Sequence, residues 1–315
     1  MSAAEPSIKI ATRGSALALA QANFVLAECQ KHFPHLAFEL SIIKTTGDKL
    51  QKASMARIDA TLPRGLFTKE LEDALLNGEA DLAVHSLKDL PTILPEGLKL
   101  GAAGKRADVR DVLISKSKFE ISNLPNGATI ATSSTRRAAQ LLERRPDLKI
   151  VAIRGNVGTR LQKLADQSEL DGTILAAAGL HRLNFKIDSE GVLTGEGIPN
   201  GLHATPISPE EMLPCVGQAA IGIEVRENDA RIDSICERLN DSTTWHCVTA
   251  ERSFLRAMGG GCQSAVAAYG EIFENEVRLR AVSYLGKQIQ RGEMRRAIGQ
   301  AVELGEELAK NLKPK

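Results

Sequence analysis

Length, composition and charge limit what this chain can be. It has 315 residues, a formal net charge of +1, 43% hydrophobic residues and 25% charged residues. This is the composition of a globular protein too long for one ordinary core, so we expect two or three domains. No block of like charge points to nucleic acid as a partner, and no stretch reaches the roughly 18 apolar residues of a membrane span. Residues 1–7 have neither the basic nor the apolar region of a signal peptide, which predicts a cytoplasmic protein without a membrane partner.

The cysteines are five in number, scattered, and without a C-x-x-C pair. This pattern argues against a disulfide framework and against a zinc site, so we expect no metal. Four of them are expected to be buried small hydrophobes: Cys29, Cys215, Cys236 and Cys247.

The first predicted elements are a strand over 8–11 and a helix over roughly 16–33, joined by a turn that contains Arg13 and Ser15. Ser15 is placed to cap the helix. A strand-to-helix turn directs backbone N–H groups towards an anion, and these two side chains would add donors. A plain helix cap beside a solvated arginine fits the same pattern.

A second strand near 38–44 precedes a polar connection over about 45–66, which is long enough to be a lid or a disordered segment. A helix over about 68–77 follows, with Leu71, Ala74 and Leu75 on one face and Gly78 at its end.

The next strand is short, continuously apolar and followed by Lys88, Asp89 and Pro91. Such a strand suits a sheet covered on both faces, and Pro91 ends its hydrogen-bonding ladder. Lys88 and Asp89 are therefore predicted at the carboxyl end of a strand, where open α/β sheets place their chemistry. A carboxylate beside an ammonium group suits general acid–base catalysis, although a surface turn with an incidental ion pair has the same sequence.

A strand over 98–103 and a polar connector over 104–108 predict a domain boundary with a hinge. Three strand-then-helix units follow, and each carries arginine near its turn. Because a helix N-terminus is unfavourable for a cation unless an anion lies there, the set predicts a polyanionic ligand, although each arginine taken singly fits a solvated side chain. Phosphate-binding glycine motifs are absent from the sequence. The residues concerned are Ser133, Ser134, Arg136, Arg137, Arg154, Arg160 and Arg182.

Segment 184–205 shows no periodicity and predicts a surface insertion, whereas 208–211 has the form of a capping box before a helix. A helix over 243–258, three strands over 265–294 and a helix over 300–312 predict a small C-terminal α+β domain. Gly259, Gly260 and Gly261 precede Cys262 in a sterically open loop, which suits a thiol that accepts a bulky adduct. A glycine cap followed by a buried cysteine fits as well.

Several segments, in order along 8–312, resemble the porphobilinogen deaminase (hydroxymethylbilane synthase) family. They include HSLKDLP at 85–91, TSSTRR at 132–137, RGNVGTR at 154–160, VGQAAIGIE at 216–224 and GGCQSA at 260–265. The chain departs from the family pattern at Arg64 (lysine in the family), Thr135 (leucine), Ala219 (glycine) and Ala265 (proline).

The resemblance implies an α/β fold in which two periplasmic-binding-protein-like domains are joined by a hinge and followed by a smaller C-terminal α+β domain. Domain 1 would comprise 1–104 and 216–240, domain 2 would comprise 105–215, and domain 3 would comprise 241–315. The implied activity is that of a transferase of tetrapyrrole (heme) biosynthesis. It condenses four porphobilinogen molecules head to tail onto a covalently bound dipyrromethane primer and releases ammonia and hydroxymethylbilane.

The resemblance also implies roles for individual residues. Asp89 would be the catalytic carboxylate, assisted by Lys88, and both would contact the cofactor. Cys262 would carry the dipyrromethane through a thioether. Further cofactor contacts would come from Ser133, Ser134, Arg136 and Arg137. Substrate would be bound by Arg13, Ser15, Arg154, Arg160, Arg182 and Gln218.

We further expect a monomer that passes its product to uroporphyrinogen-III synthase. An alternative of a different class is a non-enzymatic anion-binding receptor, since the same fold serves that purpose. The receptor would explain the arginines and the hinge, but not Asp89 or Cys262.

Overall fold

A computed structural model describes residues 7–47, 68–261 and 264–314. The strands are β1 (Ile8–Arg13), β2 (Phe38–Ile43), β3 (Leu82–Ser86), β4 (Leu98–Ala103), β5 (Asp111–Ser115), β6 (Thr129–Ala131), β7 (Lys149–Val151), β8 (Gly172–Ala176), β9 (Lys186–Ile187), β10 (Leu193–Thr194), β11 (His203–Ile207), β12 (Ile221–Arg226), β13 (Val266–Phe273), β14 (Glu276–Ser283) and β15 (Gln290–Ala297). The helices are α1 (Ala16–His32), α2 (Lys69–Leu76), α3 (Thr135–Arg144), α4 (Val157–Asp166), α5 (Ala177–Arg182), α6 (Ala230–Leu239), α7 (Ser242–Ala257) and α8 (Ala301–Leu312).

The chain divides into two compact units. Unit 1 comprises Met1–Arg106 and Ala220–Trp245, and unit 2 comprises Ala107–Ala219 and His246–Lys315. No helix in the described ranges is long and apolar enough to cross a membrane.

Unit 1 is built on a five-stranded sheet of order β2-β1-β3-β12-β4. β1 is parallel to β2 and β3, whereas β12 lies antiparallel between β3 and β4. One face packs Leu82 and Val84 of β3 against α1 and α6, and the other packs Ala83 against Leu71 and Leu75 of α2. Because both faces are covered, Leu82, Ala83 and Val84 are continuously apolar, as the sequence predicted.

Two cysteines belong to the first of these faces. Cys29 on α1 and Cys236 on α6 are both buried in the same apolar cluster. Burial raises the pKa of each thiol to about 12, with neighbouring carboxylates adding to the effect. These thiols are therefore protonated and inert, as expected for small core residues.

Unit 2 contains a second five-stranded sheet and a separate three-stranded sheet. The first has the order β11-β5-β8-β6-β7, with β6 parallel to β7 and β8 and with β5 antiparallel to β8 and β11. The second is an antiparallel meander, β13-β14-β15, whose core joins Phe254 of α7 to Leu304 and Leu308 of α8. The predicted fold class, two α/β domains plus a smaller C-terminal α+β domain, is confirmed. The hinge and the domain boundaries stay predictions.

Two sequence-based expectations were wrong. Segment 184–205 is not a surface insertion, because Phe185, Leu193 and Leu202 are buried in the core of unit 2 and the segment contains the β9–β10 hairpin and the start of edge strand β11. Pro206 obscured β11 in the sequence, but an edge strand tolerates proline. Residues 208–211 form a turn instead of a helix: the Met212 N–H donates to the Ser208 carbonyl, and Pro214 prevents continuation.

The contact between α7 and α8 depends on a glycine. A Cβ added at Gly305 would lie 2.6 Å from the Phe254 backbone nitrogen and would collide with the Ala250 carbonyl oxygen. Backbone atoms of a packed helix cannot move away as a flexible side chain can.

We expect Gly305→Ala to lower the free energy of unfolding by about 3 kcal/mol, since an extra methyl group in a packed interface typically costs 1–3 kcal/mol and more where backbone blocks it. Thermal or denaturant unfolding measures the change. Gly299→Ala is the control, because a Cβ there meets nothing within 4 Å. Equal stabilities for the two variants would contradict the packing argument.

Candidate active site

The Lys88–Asp89 turn follows directly from β3 in unit 1. Residues Leu87–Asp89 form one 3-10 turn, closed by the Leu90 N–H donating to the Leu87 carbonyl at 3.2 Å. Leu87 is buried, Lys88 is half-buried and Asp89 is exposed. The predicted placement at the carboxyl end of a sheet strand agrees with the structure, while the chemical roles stay predictions.

Backbone and side-chain contacts fix the start of this turn. The Leu87 N–H donates to the Ala220 carbonyl at 3.0 Å. The amide of Gln21, a buried residue of α1, lies 2.9 Å (Nε2) and 3.0 Å (Oε1) from Ser86 Oγ. The turn is therefore tied to both α1 and the segment that begins β12.

Arg13 and Ser15 lie at the same edge of the sheet. β1 runs parallel to β3, with Ile10 opposite Leu82, so the carboxyl ends of both strands meet there. Arg13 ends β1, and Ser15 caps α1 by accepting a hydrogen bond from the Ala18 N–H at 3.3 Å. Unit 1 thus collects four predicted site residues at one edge, and their substrate contacts stay predictions.

Arg136 and Arg137 are buried in unit 2, in the first turn of α3. Arg136 Nη2 lies 2.8 Å from Asp111 Oδ2, and Arg137 Nη2 lies 2.7 Å from Asp111 Oδ1. Their other amino groups donate to the Leu213 carbonyl (2.7 Å) and the Ile174 carbonyl (2.8 Å), respectively. Asp111 therefore supplies part of the negative charge that arginines at the start of a helix require.

Asp111 is fully buried at the start of β5. Burial alone would raise the pKa of its carboxyl group, but Arg136 and then Arg137 outweigh burial and hold this pKa well below its usual range. One carboxylate faces two guanidinium groups, so these three side chains carry one positive charge in excess. The excess favours a further anion near the start of α3.

Gln218 belongs to the interior of unit 2. Its side chain is fully buried, and Nε2 donates to the Val109 carbonyl at 2.7 Å and to Asp111 Oδ1 at 3.0 Å. This position fits a structural role beside Asp111, and the predicted contact with substrate stays a prediction. Sequence reasoning missed Asp111. The signal that could have found it is a single acidic residue at the start of an otherwise apolar strand.

The two serines before α3 brace its start. Ser134 caps α3 by accepting a hydrogen bond from the Arg137 N–H at 3.4 Å. Ser133 Oγ donates to the Ile153 carbonyl at 2.7 Å and lies 3.1 Å from the Ile153 nitrogen, whose N–H it accepts. Ser133 thereby holds the carboxyl ends of β6 and β7 side by side, while Ser134 fixes the start of α3.

The remaining arginines follow the parallel strands of the same sheet. Arg154 is exposed after β7, while Arg160 is half-buried on α4 and donates from Nε to the Gly155 carbonyl at 2.8 Å. Arg182 ends α5 and donates to the Ala219 carbonyl at 2.6 Å. Burial lowers the pKa of Arg182 to about 10, so it is still charged near neutral pH. Because β6 is parallel to β7 and β8, these turns lie at one sheet edge.

Three further positions singled out in the sequence are Cys262 and two departures from the family pattern, Arg64 and Ala219. Cys262 and Arg64 lie outside the described residues. Ala219 has φ +71°, a left-handed conformation that disfavours residues with a side chain by roughly 1–2 kcal/mol. The backbone thus explains why glycine suits this position.

Removing the shared carboxylate tests the buried cluster. Asp111→Asn leaves two buried guanidinium groups without their counter-charge, so we expect a loss of about 3–5 kcal/mol in the free energy of unfolding at pH 7. Because the folded pKa of Asp111 lies below its ordinary value of 3.8, its contribution is present above that pH and is lost as pH falls towards the folded pKa. The gap from the parent should therefore narrow below about pH 4.

Asp147→Asn is the control for this comparison, since Asp147 pairs with Arg145 on the surface at 2.7 Å. Its melting temperature should stay close to that of the parent. A similarly small effect of Asp111→Asn would show that the buried cluster does not stabilise unit 2.

Comparison with known proteins connects this geometry with a family. The model described as "Porphobilinogen deaminase, dipyromethane cofactor binding domain" matches residues 8–234, and "Porphobilinogen deaminase, C-terminal domain" matches residues 245–314. The porphobilinogen deaminase of Syntrophus aciditrophicus (strain SB) is 45% identical over 97% of this chain and 94% of that protein. That of Chlorobium phaeobacteroides (strain BS1) is 44% identical over 96% and 94%.

Similarity to solved structures is weaker. The Bordetella pertussis BvgS VFT2 domain (double mutant F375E/Q461E) has 16% identity, covers 75% of this chain and 87% of its own, and gives a TM-score of 0.43, from which we draw no functional argument. The family matches cover nearly the whole chain and confirm the resemblance that the sequence motifs predicted. The chain belongs to the porphobilinogen deaminase family.

Proposed function

We propose that this chain is a transferase that condenses four porphobilinogen molecules, head to tail, onto a dipyrromethane primer, releasing ammonia and hydroxymethylbilane. Its membership of the family over 8–234 and 245–314 is the observation that carries the proposal. The local structure adds a carboxylate at a strand end in unit 1 and a buried cationic cluster in unit 2.

The cationic cluster fits a cofactor that bears several carboxylate groups. Its three side chains have one positive charge in excess, and the buried Nε of Arg136 has no hydrogen-bond partner among the described residues. An orphaned buried donor beside an uncompensated charge suits an anionic group. The residues that would hold the dipyrromethane carboxylates are Ser133, Ser134, Arg136 and Arg137, and the proposed thioether anchor is Cys262.

The bound dipyrromethane would supply the pyrrole carbon from which the chain is extended. In unit 1, the Asp89 carboxylate is exposed at the end of the turn that follows β3. It would stabilise the cation left on porphobilinogen when ammonia departs and would move protons at the pyrrole nitrogen. Lys88, Arg13 and Ser15 would hold substrate carboxylates at this edge of the sheet.

The remaining substrate contacts are proposed for unit 2. Arg154, Arg160 and Arg182 follow successive strands at one sheet edge, where their charges suit the acetate and propionate groups of pyrroles. Gln218 would either hold Asp111 in place or bind substrate directly, and its burial favours the contact with Asp111.

We extend the proposal to location and partners. A cytoplasmic monomer fits a protein with buried reduced thiols at Cys29 and Cys236 and a thiol that must stay available for a cofactor. The open-chain product would pass to uroporphyrinogen-III synthase.

Replacing the carboxylate by its amide tests the role of Asp89. Asp89→Asn removes the charge and the titratable proton while conserving shape, so kcat should fall at least about 10²-fold with cofactor content unchanged. Asp89→Glu should keep some activity, although a displacement of about 1 Å costs on the order of 10²-fold. Asp73→Asn, an exposed carboxylate on α2, is the control. Near-normal turnover by Asp89→Asn would remove the carboxylate from the mechanism.

Intact-protein mass spectrometry tests the covalent anchor. The parent should exceed its sequence mass by one dipyrromethane, and sub-stoichiometric porphobilinogen should add discrete mass increments. Cys262→Ser should fold but show neither, whereas Cys29→Ala and Cys236→Ala should retain both, with stability losses of about 0.5–3 kcal/mol. An unmodified but fully active parent would refute the anchor, and an unmodified, inactive parent that binds carboxylates would favour the anion-receptor alternative.

A further inference from the structure

Three titratable side chains are buried together in unit 1, beneath the strand that carries the Lys88–Asp89 turn. His85 lies on β3, Glu224 on β12 and Glu72 on α2, and their exposed fractions are 6%, 0% and 7%. None of them belongs to the residues proposed to bind substrate or cofactor. We call this set the buried triad.

Sheet register explains how two members of the triad meet. His85 lies opposite Gly222, and Glu224 lies opposite Ala83, so the two side chains are diagonal neighbours on one face. His85 Nε2 is 3.0 Å from Glu224 Oε2. The same face packs Ala83 against α2, and the third member, Glu72, comes from this helix.

The triad is expensive to bury. Oε1 of Glu72 and Oε1 of Glu224 have no hydrogen-bond partner among the described residues. Burial raises the pKa of Glu72; Thr68 and His85 lower it, whereas Glu224 and Asp73 raise it further. Two carboxylates and one imidazole are thus held together in a dry site, where apolar side chains of the same volume would be less costly to bury.

Two contacts link the strand of Glu224 to the Lys88–Asp89 turn. Gly222, two residues before Glu224 on β12, packs so closely against the Leu87 side chain that a Cβ added at Gly222 would lie 2.8 Å from Leu87 Cδ1. The Leu87 N–H also donates a hydrogen bond to the carbonyl of Ala220, which lies just before the same strand. The strand that holds Glu224 thus also holds the first residue of the Lys88–Asp89 turn.

We propose that His85, Glu224 and Glu72 are positioning residues for the reaction: they fix the end of β3 and so hold the Lys88–Asp89 turn in place. The proposal rests on the proposed role of Asp89.

Replacing either member of the His85–Glu224 contact should therefore displace the turn without removing a proposed substrate ligand. His85→Gln and Glu224→Gln should each lower kcat, and the double variant should lose little more than either single variant, because both replacements break the same 3.0 Å contact. A role confined to stability would lower the melting temperature and leave the kcat of the folded holoenzyme unchanged.

The experiment uses the holoenzyme, with cofactor content checked by mass and porphobilinogen as the substrate. Both single variants should lower kcat about tenfold and change KM less, since Lys88 is the only proposed substrate ligand in the disturbed turn. Glu72→Gln should preserve the fold and lower kcat by less, because Glu72 comes from α2 and not from the strands that meet at the turn. Glu227→Gln, an exposed carboxylate just beyond β12, is the matched control.

The outcomes separate this inference from the proposed function. An active parent whose single variants keep the parent kcat, or whose double variant loses the product of the two single losses, would overturn the positioning role alone. A parent that carries no dipyrromethane and consumes no porphobilinogen would overturn the proposed function, and the positioning role with it.

Discussion

The cost of removing charge from water is the constraint on which the candidate site depends. Asp111 is tolerable in the interior only because two guanidinium groups reach it, and those groups lie at the start of α3 only because Asp111 faces them. Gln218 adds an amide contact to the same carboxylate. The cluster therefore orders β5, α3 and the segment before β12 around one anion, and its surplus charge makes the edge of the second sheet receptive to carboxylates.

Unit 1 meets the same constraint differently. Its carboxylate at the sheet edge, Asp89, stays exposed, while His85 and Glu224 are buried in contact with each other. An exposed acid is accessible to a ligand, whereas a buried pair can hold a strand end without meeting one. Under the proposed function, proton transfer in unit 1 and carboxylate binding in unit 2 would therefore use different kinds of electrostatic site.

Local features of the fold followed from the sequence because they depend on neighbouring residues. The Ser15 cap, the apolar start of β3 and the Lys88–Asp89 turn were all predicted within a residue or two. Contacts between distant segments were not predicted: Asp111 is 25 residues from Arg136, and the members of the buried triad come from three separate elements. Family motifs marked the arginines as ligands for carboxylates, but no pattern showed that one of those carboxylates belongs to the chain.

The position of β12 has a consequence for synthesis of the protein. β3 and β4 are not neighbours in the sheet of unit 1, because β12 lies between them, and β12 begins only at Ile221, after the whole of 104–220 has been made. At about 5–20 residues per second this interval lasts on the order of ten seconds. For that time the nascent chain holds two apolar strands with unpaired edges, a form that invites aggregation. Ribosome-associated chaperones therefore have most to protect before the first sheet closes, even though its strands are among the earliest to emerge.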